Sequence, residues 1–285
     1  MSTRGRAVTQ RITNQGHTRK LARTDAFVAY AIDRFLFRLG RSRHAREFYL
    51  KGGVLVANIA GARHRFTRDI DFLRRRGPPD PDDLRDRLGE IAAVVHDDGI
   101  VFDADRVRTA VARREEDGYD GVKATLVARV DLTRIEVLID VGFGDAVVPP
   151  PRRTPLLPFL SDDPPAVVYA YPVESVLAEK IEAVLFKFPL IAHRLKDVLD
   201  VVALAPAADR ARAKRSLLAT LERRGKLPGA LTRIAPILGD MRGELRGRKW
   251  STAWAKMCAE KRVITPIELH DALAAFDAYV RTLLE

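Results

Sequence analysis

Between Lys51 and Leu73 the chain passes from a glycine pair into a short apolar run, then a turn, then a strand that carries two aspartates. Gly52 and Gly53 follow Phe48-Tyr49-Leu50 and precede Val54 to Ala60, a length that suits one short helix. Gly61-Ala62-Arg63-His64-Arg65 reads as a turn. In Phe66 to Leu73, Asp69 and Asp71 alternate with Ile70 and Phe72, so the period of two puts both carboxylates on one face of a strand. Two like charges so placed repel, and a divalent cation shared with a substrate's phosphates removes that penalty. A glycine pair at a helix mouth lets phosphate approach backbone N–H groups with no Cβ in the way. Either half alone also reads as an ordinary turn or a polar strand face. The ordered combination points to a site for a nucleoside triphosphate.

The flanking chain supplies elements to hold such a strand. Ala26, Phe27, Tyr30, Ala31, Phe35 and Leu39 recur at helical spacing, with Thr24 or Asp25 placed to cap the start and Gly40 the end. After the break Gly77-Pro78-Pro79-Asp80-Pro81, residues 82–95 resume a helical pattern through Leu84, Leu88 and Ile91. Residues 100–119 alternate weakly and read as short strands. Val122–Val130 and Thr133–Val141, joined at Asp131-Leu132, read as a hairpin. Asp140 lies near the end of its otherwise apolar second strand, with Gly142 and Gly144 in the exit.

Half of the sixteen prolines fall between Pro149 and Pro172, a composition that favours extended backbone without a core. Beyond it the pattern is helical to the end. In Val173–Lys187 the residues Val176, Leu177, Ile181 and Val184 form an apolar stripe, and Lys180 falls inside it. A lysine on such a stripe either snorkels to solvent or brings its amine to an anion. The functional reading has it stabilising a triphosphate, in which case Lys180→Met would weaken catalysis and leave stability unchanged. In the next helix Lys196, Asp197 and Asp200 share a flank away from Leu195, Val198, Leu199 and Val202, as a solvated face also does.

The Gly52-Gly53 pair, the short helix, Thr67-Arg68-Asp69-Ile70-Asp71, Ile135 to Asp145, Leu177-Ala178-Glu179-Lys180 and Arg194 to Asp200 occur in that order. Together they resemble the nucleotidyltransferase superfold, and in particular the AbiEii-type nucleotidyltransferase toxins, over roughly residues 45–205. The resemblance implies an enzyme that moves a nucleotidyl group from a nucleoside triphosphate to RNA, with the tRNA 3′ end as expected acceptor and Mg²⁺ as cofactor, acting as the toxin of a toxin–antitoxin pair. It makes Asp69, Asp71 and Asp140 the expected metal ligands. Asp140 would also help activate the acceptor hydroxyl. Lys51, Gly52, Gly53, Thr67 and Lys180 become the expected nucleotide-binding residues. Asp197 and Asp200 match the family's Arg-x-Lys-Asp-x-x-Asp pattern and join the catalytic candidates, with Asp197 placed first.

The expected architecture is α+β: a basic flexible arm over residues 1–20, a nucleotidyltransferase-like lobe with a mixed sheet over 21–148, a Pro-rich linker over 149–172 and a mainly helical lobe over 173–285. The arm is read from Arg4, Arg6, Arg11, Arg19 and Lys20 among few apolar residues. A formal net charge of +11, mostly from arginine, favours an acidic partner such as nucleic acid. No stretch reaches the apolar length of a membrane span, the first twenty residues lack the apolar centre of a secretory signal, and Cys258 is a lone thiol. These features lead to the expectation of a cytoplasmic protein with Cys258 as a small buried side chain. Two other readings remain open. One is a nucleotidyltransferase for an aminoglycoside-type small molecule, and the other is a non-catalytic basic RNA-binding module.

Overall fold

The computed structural model describes residues 3–61, 64–112, 121–264 and 266–285, with backbone only for residues 3 and 4. The turn expected at Gly61 to Arg65 therefore falls partly outside the described residues, as does the end of the weak strand region at 113–119. The chain divides into two units. The first comprises Met1–Asn58, Thr67–Gly144 and Arg152–Ala170; the second comprises Ile59–Phe66, Asp145–Pro151 and Tyr171–Glu285.

The first unit is built on a mixed sheet. Its strands are β1 (Phe48–Lys51), β2 (Asp69–Arg74), β3 (Ile100–Phe102), β4 (Arg108–Ala112), β5 (Gly121–Val130), β6 (Thr133–Phe143), β7 (Arg152–Pro155) and β8 (Val167–Ala170). They lie in the order β3-β5-β6-β2-β1-β8-β7, and β4 also pairs with β5. β2 runs parallel to β6 and β1 parallel to β8, while the other pairs are antiparallel. The expected hairpin is β5–β6, with Val130 opposite Thr133 and Asp131 at φ 51°, a conformation that Asp tolerates in a tight turn.

Helices α1 (Thr3–Thr18), α2 (Arg23–Arg41), α3 (Gly52–Ala60) and α4 (Pro81–Ala92) complete this part of the chain. α2 buries Phe27, Tyr30, Phe35 and Leu39 together with charge: Arg38 donates to both oxygens of Asp98 at 2.7 and 3.0 Å, and Arg34 donates to Asp33 at 2.9 Å. Gly40 lies within α2 and does not end it. A Cβ there would meet the Val167 carbonyl oxygen at 2.5 Å, so this glycine serves the close passage of α2 over β8. Asp80 caps α4, accepting from the backbone N–H groups of Asp82 and Asp83 at 2.9 and 3.3 Å, with Pro81 in the first turn.

Two expected segments are corrected. Residues 3–18 form a helix and not a flexible arm. Val8 and Ile12, four residues apart, are buried on one face, and Gly16 one turn further brings α1 against Ala26 of α2. Reading those residues by composition hid a stripe that spacing reveals. The Pro-rich linker at 149–172 contains β7 and β8, and it buries Leu156, Phe159, Leu160, Val168 and Ala170. Pro155 is accommodated because β7 is an edge strand, where a missing N–H costs no ladder bond on the open side, and the other prolines of this stretch lie outside the two strands.

The second unit is mainly helical, with α5 (Val173–Phe186), α6 (Leu195–Leu204), α7 (Arg210–Arg223), α8 (Gly229–Glu244), α9 (Arg248–Glu260) and α10 (Leu269–Leu284). Its core includes Leu177, Ile181, Val184, Leu195, Val198, Leu217, Ile234, Trp254, Phe276 and Val280. Cys258 is buried there, as its small apolar character predicts.

Candidate active site

The parallel pairing of β2 with β6 sets Asp71 opposite Asp140 and Asp69 opposite Leu138. Residues directly opposite in a ladder share a face, so the alternation that put Asp69 and Asp71 together also brings Asp140 to them. One carboxylate oxygen from each of the three lies within 4.8 Å of the others, and all three side chains are half-buried. Burial, followed by the charge of Asp69, pushes the Asp71 carboxyl above its ordinary range; Lys51 opposes this, Asp140 adds to it, and the Gly53 N–H opposes it. Lys51 sits opposite Asp71 across the antiparallel β1–β2 pair.

The glycine pair packs directly on this cluster. Gly52 has φ 66°, and a Cβ there would stand 1.8 Å from Asp71 Oδ2. A Cβ at Gly53 would stand 2.8 Å from Thr67 Cβ and Oγ1. The Gly53 N–H donates to Asp71 Oδ2 at 3.4 Å, and Thr67 Oγ1 donates to Asp69 Oδ1. Lys51, Gly52, Gly53, Thr67, Asp69, Asp71 and Asp140 thus form one constellation in the first unit. The donor set fits a hard divalent cation: three carboxylates whose ligand atoms converge, with side chains excluded at two backbone positions beside them.

The remaining candidates form a second constellation, in the helical unit. Lys180 is buried on α5 and donates to Asp197 Oδ1 at 2.7 Å, while its Nζ lies 2.6 Å from Asp200 Oδ2. Asp200, fully buried, also accepts from Arg65 Nε and Nη2 at 2.6 and 2.7 Å, and His64 Nε2 lies 2.9 Å from its Oδ1. Arg194 Nη1 donates to Asp197 at 3.3 Å. Burial opposes ionisation of Asp200, but Lys180, Arg65 and the bond from His64 override it and hold the carboxyl well below the usual range. Burial likewise opposes the Lys180 charge, and Asp197 and Asp200 override it and raise the ammonium.

Asp197 and Asp200 are therefore both buried ion-pair partners, not a solvated flank. Sequence reading passed over His64 and Arg65, which it took for part of a turn. No periodicity marks them, because their partner lies more than a hundred positions away in the chain.

The profile of a family described as "Nucleotidyl transferase AbiEii toxin, Type IV TA system" matches residues 34–282. The chain belongs to the AbiEii nucleotidyltransferase toxin family. It is thus a nucleotidyltransferase of a type IV toxin–antitoxin family, and that membership implies a cognate antitoxin. The fold agrees. A crystal structure of a candidate nucleotidyltransferase from H. pylori superposes with a TM-score of 0.51 at 12% identity, covering 88% of this chain and 90% of that one. The structure of JHP933 from Helicobacter pylori gives 0.50 at 12% identity, with 88% of each chain covered. At such identities the likeness speaks for the fold alone. No curated protein sequence matches the chain significantly. Among the described residues, no helix of this AbiEii-family protein is long and apolar enough to cross a membrane.

Proposed function

We propose that this toxin-family enzyme transfers a nucleotidyl group from a nucleoside triphosphate to the 3′ hydroxyl of RNA, with the tRNA 3′ end as acceptor, in a Mg²⁺-dependent reaction. The observation that carries the reading is the convergence of Asp69, Asp71 and Asp140 on one sheet face, within 4.8 Å by their ligand atoms, beside a glycine pair. These three carboxylates would hold Mg²⁺, which when bound neutralises phosphate charge and favours deprotonation of a hydroxyl.

In the transfer, the acceptor oxygen bonds to the α-phosphorus, the bond from that phosphorus to the bridging oxygen breaks, and pyrophosphate leaves. Asp140 is assigned to orient the hydroxyl and accept its proton. Gly52 and Gly53 let the Asp71 and Thr67 side chains pack against the backbone at the mouth of α3, which is proposed to receive phosphate, and Thr67 fixes the Asp69 carboxylate by donating to it. Lys51 supplies positive charge next to Asp71. Lys180, bound to Asp197 and Asp200, is assigned to holding the helical unit's own buried charge cluster together. The net charge of +11 supports a polyanionic acceptor.

Incubation with Mg²⁺, each labelled nucleoside triphosphate in turn and either total tRNA or a panel of aminoglycosides tests the reading. Label at the RNA 3′ end, lost in Asp69→Ala, is the expected result. Label on an aminoglycoside and none on RNA would replace the acceptor. Transfer to neither, with any triphosphate, would leave a basic RNA-binding module.

A further inference from the structure

The sheet face that carries the acids continues past them, and its outer half is cationic. Strand register fixes which side chains share that face. Asp71, Asp140, Lys123 and Ala110 form one cross-strand row, and Asp69, Leu138, Thr125 and Arg108 form the next. Glu136 with Val127 follows, and then Arg134, Arg129 and Val101. Lys123, Arg108, Arg129 and Arg134 are all exposed, as are Leu138 at 48% and Val101 at 71%. Beyond the three aspartates and Lys51, which lies opposite Asp71, the charged residues of these rows are four cations and one acid, Glu136, which lies 2.9 Å from Arg134 and 3.5 Å from Arg108.

The pairing of Arg129 directly opposite Arg134 is informative. Like charges opposed across a ladder destabilise a sheet, and an anion lying between them reverses the sign of that interaction. Two exposed apolar side chains, Leu138 in the row next to Asp140 and Val101 beside Arg129, interrupt the charge as base or ribose contacts do along a single strand. From Asp140 to Arg134 is six residues of one strand, roughly 20 Å at about 3.3 Å per residue. That length accommodates about six nucleotides at a stacked rise of about 3.4 Å.

We propose that this face is the track for the single-stranded 3′ segment of the acceptor RNA, with Arg129 and Arg134 gripping phosphates upstream, Leu138 contacting the penultimate bases, and Lys123 receiving the last phosphate beside Asp140. The inference rests on the proposed RNA acceptor and adds to it the surface that selects a single strand. The cationic rows continue directly from the catalytic row, which distinguishes them from a solvated strand face placed elsewhere.

The test is fluorescence anisotropy of a short labelled single-stranded RNA with a free 3′ hydroxyl, without metal, over a range of salt concentrations. It compares the wild-type protein, Arg129→Glu/Arg134→Glu, and a control double, Arg215→Glu/Lys249→Glu, which makes the same charge change at exposed positions of α7 and α9. Circular dichroism accompanies each. The track predicts at least a tenfold loss of affinity for the sheet double beyond that of the control. It also predicts a shallower salt dependence, by about 1.4 in the slope of log K against log salt for two lost phosphate contacts at about 0.7 each. Equal losses in the two doubles, or no loss in either, overturn the track. A parallel labelling assay separates the levels: RNA labelled equally by wild type and sheet double removes the track and keeps the RNA reading, while wild type that neither binds nor labels RNA removes both.

Discussion

Gly52 and Asp71 occupy the same small volume, since a Cβ on residue 52 would stand 1.8 Å from Asp71 Oδ2. The glycine is required twice over, because its φ of 66° is also one that side chains rarely adopt. Gly52→Ala should therefore displace a carboxylate of the proposed metal site and reduce turnover by about 100-fold or more, the scale of losing one preorganised charged group. Gly225→Ala is the matched control: its φ is 64°, and nothing lies within 4 Å of the added carbon. Both variants should lose about 1 to 2 kcal/mol from the left-handed backbone alone, measured by urea unfolding, but only the first should lose label transfer. Equal activity in the two would remove the steric argument.

Asp69→Ala should abolish Mg²⁺-dependent transfer with the fold intact. Removing one of three mutually repelling carboxylates relieves a penalty in the absence of metal, so the apo protein should unfold at a denaturant concentration no lower than wild type. A clear loss of apo stability would mean that the carboxylate serves the fold, through its bond with Thr67.

Lys180→Met should be strongly destabilising, by about 3 kcal/mol or more, because it leaves two buried carboxylates short of their shared cation. Those contacts argue against the sequence-based expectation of unchanged stability. Combining it with Asp200→Asn should recover part of the loss, and strictly additive penalties in that double-mutant cycle would deny the coupling.

Asp200 should also leave a mark on the acid limb of stability. Its folded pKa lies below that of an unfolded aspartate, about 3.9. The unfolded chain then binds the proton more readily, so this group's stabilisation is fully present above about pH 4 and is lost as pH falls through the lower folded value. Denaturant unfolding between neutral pH and pH 3 should fall less steeply below about pH 4 for Asp200→Asn than for wild type. Lys180, raised in the folded state, acts in the opposite sense: its contribution is complete below the unfolded value near 10.4 and fades only above it.

Ile12→Ala bears on the first helix. A fully buried isoleucine predicts a loss of about 2 to 5 kcal/mol, whereas a flexible arm predicts none. Thermal unfolding of the variant decides between them.

What the sequence by itself determined is local. The alternation of Asp69, Ile70, Asp71 and Phe72 was enough to put two acids on one face, and the glycine pair was enough to mark a place where backbone needs room, because strand period and glycine's missing Cβ do not depend on distant chain. The β5–β6 hairpin, the helices from α4 onward and the family resemblance were legible for the same reason. Tertiary structure alone decided the rest. Asp140 joins Asp69 and Asp71 only through the parallel register of β2 with β6, and nothing local encodes a parallel register. Lys180 stood out on its apolar stripe, but its partners Asp197 and Asp200, and Arg65 and His64 behind them, were assembled by the packing of segments far apart in the chain. The proline-rich stretch and the basic first residues misled for one shared physical reason. Composition records how much apolar surface a segment has on average, whereas burial depends on whether the few apolar residues present, such as Val8 and Ile12 or Phe159 and Leu160, fall together where another element can cover them.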